Sequence, residues 1–485
     1  MKEKIKYLAD ELYVPNCHFE SRFCRGEKSD FRKRFLSRPL ENGLHRNDRV
    51  IKLLFVFALL LFSNSLFAQE IMTPQDAVKI ALENNYSIKI AKNEKNIAEN
   101  NSSAGNAGFL PTVDASGSYT RSSNDTKQNY SNGQTVNVNG AINKNYAAGI
   151  NLNWTIFDGL KMFASLDQLK ELKKIGETSY KKAVEQNISD VLATYYDIAR
   201  RELLLQVIKK NVSISEERLK IVENEKSVGS ASKFDFLKAH VDLNTDKSAL
   251  MNQEQSLQVA RTTLNRLLGR DINSDFTIQD TIVVNKNLTF SDLKSVTMDK
   301  NSDLVIAKQN KNLSEAQLRL ERADLMPKIS LNLGYNYTKS ESGAGFFISS
   351  KTTAFSYGAT VSLNLFNGLN TRRRMENAQV GIESSEYSYN QSLQQVNADL
   401  KNTYLKYANS LQLINLESQN YKSAEENVDL ALEKLRVGAI TPLDFRTSQK
   451  DMLDAKSRLV SAQYDAKTAE TDLLKISGQL IKSVK

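Results

Sequence analysis

The side chains that most often perform catalysis are scarce in this chain of 485 residues, which contains two cysteines and three histidines. Cys17, Cys24 and two of the histidines precede residue 50, so His240 is the only histidine or cysteine in the rest of the sequence. A thiolate metal site, a disulfide framework and a histidine-based triad therefore lack their residues there. Carboxylates alone can act as acids and bases, but no pattern indicates such a site. We expect no enzymatic activity and no cofactor or metal.

Three consecutive arginines, Arg372, Arg373 and Arg374, offer a different chemistry, the binding of phosphate groups. They occupy the first turns of a predicted helix, where the helix dipole favours acidic side chains over cations. They also directly follow a predicted membrane strand. We interpret them as contacts to anionic phospholipid headgroups. The alternative is an ordinary solvated helix face.

The N-terminal region predicts export from the cytoplasm. Residues 51–67 are almost entirely apolar and are followed by Ala68-Gln69, which favours a signal peptide at 50–68, cleaved after Ala68. Residues 1–49 hold 12 Lys/Arg and 8 Asp/Glu, which is unusual before a signal peptide. We predict that they are a misannotated extension and that translation starts near Val50. Without residues 1–68 the formal net charge of +9 falls to about +4, too little to indicate nucleic-acid binding.

The remaining sequence repeats one pattern twice, at 69–289 and 290–485. The matching pairs are 209 or 216 positions apart: Asn85 and Asn301, Pro111 and Pro327, 154–159 and 363–368, Val228-Gly229 and Val437-Gly438, Asp235 and Asp444, Gly269 and Gly478. A repeat this long with only two copies is a duplicated structural unit, not a solenoid.

Each copy contains a segment in which apolar residues alternate with Asn, Ser, Thr and Gly, at 111–157 and 327–366. Four strands of about ten residues with one apolar face are typical of transmembrane β-strands. The alternative is a soluble hairpin with one face on a core. We predict polar external loops at about 121–144 and 339–354, with the extra seven residues of the first copy in its loop.

The other segments of each copy predict helices. An opening helix ends at the proline, Pro111 or Pro327. Long proline-free helices follow at 158–226 and 367–436, with apolar residues every 3.5 positions, as in a coiled coil. Glycine turns lead into capped return helices at 233–268 and 442–477. A connecting segment at 270–289 joins the copies, and a short tail ends the chain.

Four membrane strands cannot close a barrel, and an open edge in lipid leaves backbone groups unpaired. Chains must therefore share a barrel. Two chains would give eight strands with a filled lumen, and three would give twelve strands around a channel. A channel favours the homotrimer.

These features together resemble the TolC-type outer-membrane efflux protein family over essentially the whole predicted mature chain. The resemblance depends on motifs that occur in order along the chain. They are the start of the opening helix at 73–77 with Asn84-Asn85, the residues before the first hairpin at 109–111, the ends of the two hairpins at 157–159 and 366–368, and the turns Val228-Gly229 and Val437-Gly438. The family implies a mainly α-helical fold with membrane β-strands, in which a coiled-coil α-barrel in the periplasm continues a trimeric twelve-stranded β-barrel. It also implies a periplasmic adaptor protein and an inner-membrane transporter as partners.

The resemblance also implies roles for residues at the helix tips. Family channels close at a ring of acidic side chains, and Asp444 matches one such position, whereas Thr447 stands where the best-known member has a second acid. Asp235, Phe236 and Phe445 complete the predicted tip, although capping and packing are alternative roles. The tip turns at Val228, Gly229, Val437 and Gly438 are expected to contact the adaptor.

Aromatic residues near the strand ends are predicted to form membrane girdles rather than ligand sites: Trp154, Tyr119, Tyr337 and Phe355. The predicted function is a passive exit duct of a tripartite efflux or type I secretion system in the outer membrane. A coiled-coil envelope tether or adhesin is the alternative. Drug, metal, metabolite and protein export remain open.

Overall fold

The computed structural model describes residues 71–344 and 347–484. The predicted extension at 1–49 and signal peptide at 50–68 lie outside these residues. Helices dominate the described part, and a four-stranded sheet interrupts them twice along the chain. None of the described helices has an apolar stretch long enough to cross a membrane.

Both copies have two opening helices, two strands, a long helix and a return helix in the same order, whereas among the described residues two short strands occur only in the first copy and a final short helix only in the second. The first copy contains β1 (Ile71–Met72), α1 (Pro74–Asn84), α2 (Tyr86–Asn101), β2 (Thr112–Asn129), β3 (Thr135–Asp158), α3 (Lys161–Ser227), α4 (Lys233–Leu268) and β4 (Thr277–Ile278). The second contains α5 (Phe290–Lys300), α6 (Ser302–Ala323), β5 (Lys328–Glu341), β6 (Ser349–Ser362), α7 (Asn370–Arg436), α8 (Pro442–Ile476) and α9 (Leu480–Ser483). The long helices α3 and α7 have 67 residues each.

The opening helix of each copy is broken by an asparagine, which the sequence did not lead us to expect. Asn85 Oδ1 accepts hydrogen bonds from the backbone of α2, and its Nδ2 donates to the Leu267 carbonyl at 2.7 Å. Asn301 does the same for α6, with Nδ2 donating to the Ile476 carbonyl at 2.8 Å. Each asparagine therefore starts a helix and holds the end of the return helix. The prediction that proline ends the opening helix is wrong for the first copy, because α2 ends at Asn101.

The predicted hairpin loops are mostly strand. β2 and β3 have 18 and 24 residues, and only 130–134 separates them. β5 and β6 have 14 residues each, so the second connection is also shorter than predicted. Polarity misled the prediction, since antiparallel backbone bonds form equally well between polar residues. The seven extra residues of the first copy lengthen its strands.

The four strands lie in the order β2-β3-β5-β6, and all three pairings are antiparallel. The β3–β5 pairing ends at Lys144 opposite Glu341. Residues 122–129 and 135–143 therefore pair only with each other, and we call them the outer ribbon. The apolar side chains of the strands share one face, because directly opposed residues project to the same side.

The long helices carry the predicted coiled-coil seam. Four predicted seam residues of α3 are almost completely buried, namely Ile188, Val191, Tyr195 and Ile198. In α7 the predicted seam residue Leu400 is also buried. One core cluster joins α1, α3 and α4, and a second joins α5, α7 and α8. A third cluster near the glycine turns packs α3 against α7 and α8, so the two copies touch there.

Each long helix begins with two consecutive residues of positive φ. Gly159 and Leu160 both have φ of 71°, and Gly368 and Leu369 have φ of 67° and 64°. A β-carbon on Gly159 would lie 2.4 Å from the Ala323 carbonyl oxygen, whereas one on Gly368 would lie 3.7 Å from its nearest neighbour. The two equivalent glycines thus share a backbone conformation, but only Gly159 lacks space for a β-carbon.

We expect Gly159→Ala to be more damaging than Gly368→Ala. The positive φ costs about 1 kcal/mol in both variants, and the collision with Ala323 raises the total to about 2–3 kcal/mol in Gly159→Ala. Thermal unfolding in detergent, followed by circular dichroism, measures the difference. Equal midpoints for the two variants would show that the close contact costs nothing.

Candidate functional site

The two helix turns at the end of the coiled coils form exposed tips. Gly229 and Gly438 have φ of 82° and 70°, and a β-carbon on either would meet nothing within 4 Å. Val228 and Val437 beside them are 79% and 77% exposed. Apolar side chains this open to solvent are available to another protein.

Both predicted tip acids cap helices. Asp235 Oδ2 accepts from the Ser232 hydroxyl at 2.6 Å and the Ser232 amide at 3.2 Å. Asp444 makes the same two bonds with Thr441, at 2.7 and 3.3 Å. Both hydrogen bonds lower the pKa of Asp235, and the bond from the Ser232 hydroxyl has a larger effect than the bond from the Ser232 backbone amide. The capping role therefore explains both acids locally.

The two tip phenylalanines differ in burial. Phe445 is completely buried, in a cluster with Val428, Leu435 and Met452. It packs the turn, which is the alternative role that the sequence left open for it. Phe236 is half-buried, and Lys226 Nζ lies 4.3 Å from its ring centroid.

A polar cluster behind the tip joins the two copies and was missed from the sequence. Arg446 of α8 donates to both carboxylate oxygens of Asp246 in α4, at 2.7 and 2.9 Å. The Ser215 hydroxyl of α3 also donates to Asp246, at 2.6 Å, and itself accepts from Gln449 at 3.2 Å. The hydrogen bond between Arg446 and Asp246 raises the pKa of Arg446. Three helices from both copies thus meet at one carboxylate.

Comparing the two copies residue by residue could have revealed this cluster from the sequence. At an offset of 209, Arg446 corresponds to Leu237 and Asp246 corresponds to Ala455. Each charge thus replaces an apolar residue of the other copy, and together they form an ion pair. Arg436 at the end of α7 also pairs with Glu217 of α3. The contact between copies near the tip is therefore ionic as well as apolar.

The three arginines after β6 have different surroundings. Arg374 donates to Glu321 at 2.8 Å and to Asp324 at 2.7 Å, so it ties α7 to the end of α6. Arg372 pairs with Glu376 one turn further along α7 at 2.9 Å. Arg373 is exposed and has no ion-pair partner in the part of the chain that the structure describes. Only Arg372 and Arg373 remain open to an outside anion.

The four predicted girdle aromatics share the apolar face of the sheet but lie at different depths. Trp154 is near the helix end, where its Nε1 donates to the Phe109 carbonyl at 3.0 Å. Tyr119 and Tyr337 lie toward the hairpin end. Phe355 lies opposite Tyr335, one row closer to the helices than Tyr337. Within 71–344 and 347–484 no cluster of acidic, histidine or cysteine side chains is arranged to hold a metal ion.

Comparisons with known proteins agree with this architecture. A family model described as outer membrane efflux protein matches residues 77–270 and 295–479. Proteases secretion protein PrtF of Dickeya chrysanthemi is 20% identical over 419 residues, which cover 84% of this chain and 88% of that protein. Alkaline protease secretion protein AprF of Pseudomonas aeruginosa is 20% identical over 440 residues, 89% of each chain. The CmeC outer membrane channel of Campylobacter jejuni has the same fold, with a TM-score of 0.70 and 15% identity over 84% of this chain and 86% of that one.

We expect Arg446→Leu, which copies the residue of the first repeat, to loosen the tip. Loss of its charged hydrogen bonds to Asp246 costs about 2 kcal/mol, so local hydrogen exchange around the turns becomes about 30-fold faster. Lys247→Ala is the matched control, because Lys247 pairs with Glu216 on the surface and both are about half exposed. Equal exchange in both variants would contradict a special role for the buried pair.

We also expect the first tip to lose its cap in acid. Because the folded pKa of Asp235 lies below the ordinary value of 3.8, its contribution is complete above that value and is lost as the pH falls through the folded pKa. Ser232→Ala should therefore speed exchange near Gly229 at neutral pH, and the difference from the unmodified protein should shrink in strong acid. A difference that stayed constant with pH would show that Asp235 is not involved.

Proposed function

Because this chain belongs to the outer membrane efflux protein family, we propose that it is the exit duct of a tripartite efflux or type I secretion system. The observation that carries the proposal is the junction of one open sheet with two helices of 67 residues. At 1.5 Å per residue each helix extends for about 100 Å. The apolar face suits an outer membrane, and helices of this length suit a duct through the periplasm.

We propose that three copies share one barrel. The edge strands β2 and β6 have one unpaired side each, which lipid does not tolerate. The β3–β5 pairing joins the second strand of one repeat to the first strand of the next. Pairing of β6 with β2 of a neighbouring copy would repeat that junction between chains. Three chains then give twelve strands around one lumen, with six near-equivalent hairpins.

The helix tips are the proposed contact with a periplasmic adaptor, which in turn joins an inner-membrane transporter. The exposed pairs Val228-Gly229 and Val437-Gly438 support this, because they present apolar side chains and glycine backbone to the solvent. In such a system the transporter supplies the energy and selects the cargo. The duct itself needs no reactive residues.

Asp444 and Asp235 are the proposed charged residues of the closing tip, with Phe236 beside them. Both acids are at the tips, where helices of neighbouring copies would converge. Capping does not exclude this role, since the capping bonds of each acid use only its Oδ2 atom. Phe445 is left out because it is buried inside the chain.

Arg372 and Arg373 are the proposed contacts to phospholipid headgroups at the periplasmic surface of the membrane. They begin α7 directly after β6, at the helix end of the sheet. Arg374 is excluded because Glu321 and Asp324 bind it. A tether or adhesin, the alternative function, would have no use for an open sheet that must assemble into a barrel.

Planar lipid bilayers test the exit duct directly. We expect the purified full-length protein to insert as trimers and to conduct ions in discrete steps. A folded, membrane-inserted protein without conductance would favour the tether.

The same bilayers test the gate. We expect Asp444→Lys to change the closed-state conductance and ion selectivity, because it reverses three charges around one constriction. Asp451→Lys is the control, an exposed acid two turns further along α8. Identical conductance in Asp444→Lys and the unmodified protein, with intact trimers, would reject the gating role.

A further inference from the structure

Basic residues border the apolar face of the sheet at its hairpin end. Arg121 lies directly opposite Lys144, and Lys339 lies directly opposite Lys351. We call these four side chains the rim cluster. Like charges in directly opposed positions destabilise a sheet. The rim cluster contains two such pairs. An acid, Glu341, lies beside the cluster, directly opposite Lys144 on the neighbouring strand.

Glu341 does not neutralise the rim cluster. Its carboxylate accepts from Lys339 Nζ at 2.7 Å and from Lys144 Nζ at 3.2 Å. Lys351 Nζ lies 5.6 Å from the ring centroid of Tyr337 and has no acidic partner in the described ranges. Arg121 is exposed and makes no ion pair with any residue in 71–344 or 347–484. Three positive charges per chain are therefore left over.

The apolar rows below the rim cluster have nearly the height of a membrane. From Tyr337 to Ile329, β5 contributes five residues to this face, which span about 27 Å along the strand. Strands of transmembrane barrels are tilted by about 35–45°, so these rows cover about 20 Å of membrane depth, close to the usual apolar band of about 25 Å. The pairing partners of these five residues on β6 and β3 are uncharged throughout. Charge on this face is thus confined to the hairpin end, opposite the helices.

On the basis of the proposed function, which puts this face in lipid and the helices in the periplasm, we infer that the rim cluster binds phosphate groups of the phosphorylated glycolipid in the outer leaflet. Arg and Lys form strong charge-assisted hydrogen bonds with phosphate oxygens. The acyl chains of the same molecule would lie against the apolar rows below. A lipid phosphate would also relieve the repulsion within each pair.

The edge positions extend this surface from one chain to the next. Arg121 is on the edge strand β2 and Lys351 is on the edge strand β6. In the proposed barrel these edges meet, so the rim cluster of one copy continues into that of its neighbour. Three copies then form a basic belt at the level where the glycolipid carries its phosphates.

The test compares lipid retention by two variants of the full-length protein. The neutral variant carries Arg121→Gln, Lys144→Gln and Lys351→Gln, which leaves the Lys339–Glu341 ion pair in place. The matched control, Lys127→Gln, removes one cation from the outer ribbon. Native mass spectrometry in detergent counts the bound molecules of diphosphoryl lipid A, first alone and then with an excess of inorganic phosphate.

We expect the neutral variant to bind diphosphoryl lipid A at least tenfold more weakly than the unmodified protein. Lys127→Gln should bind normally, and inorganic phosphate should not displace the lipid. The neutral variant should be as stable as the unmodified protein in lipid-free detergent, because it removes repulsive pairs. A charge-preserving variant, Arg121→Lys with Lys144→Arg and Lys351→Arg, should retain the lipid.

Equal binding by the neutral variant and the unmodified protein would overturn the inference. Displacement by inorganic phosphate would also overturn it, because the cluster would then be a simple anion site. Conductance in phospholipid bilayers without lipid A separates the two proposals. A conducting protein that ignores lipid A disproves the rim cluster alone, and a protein that never conducts disproves the duct.

Discussion

Backbone hydrogen bonding in the sheet is the constraint on which the rest of the structure depends. Inside one chain the two hairpins meet at the β3–β5 pairing, although more than 150 residues separate these strands. In the part of the chain that the structure describes, the outer edges of β2 and β6 have no strand partner. An apolar face allows the sheet to enter lipid, but the unpaired edges do not. Assembly is therefore a requirement of the backbone and not only of the side chains.

The sequence predicted the helices and turns well because their signals are local. The coiled-coil seam, the serine and threonine caps and the glycine turns each depend on residues within a few positions of each other. Hairpin loops were predicted wrongly because polar composition was taken to mean loop. The sequence left packing and pore lining both open for Phe445, because its burial depends on α3 of the other copy packing against α7 and α8. The Arg446–Asp246 pair was missed for a similar reason, since it joins residues 200 positions apart.

Duplication explains both the similarities and the differences between the copies. Asn85 and Asn301 keep identical roles, because each copy must fasten its opening helices to its return helix. Near the tip the copies differ, and the charges of Arg446 and Asp246 have no counterparts in the other repeat. Contacts within a copy therefore preserve the ancestral unit. Contacts between copies are where the two halves became different, and they occur close to the proposed gate.

The outer ribbon has a practical consequence. It pairs with no other strand among the described residues, and the five residues at 130–134 close it at the end farthest from the helices. Its length therefore does not affect the register of the four-stranded part. An epitope or fluorophore placed in this turn would be displayed on the cell surface, with one copy for each chain. One third of the number of such labels on living cells would give the number of proposed trimeric ducts, without a change to the pore.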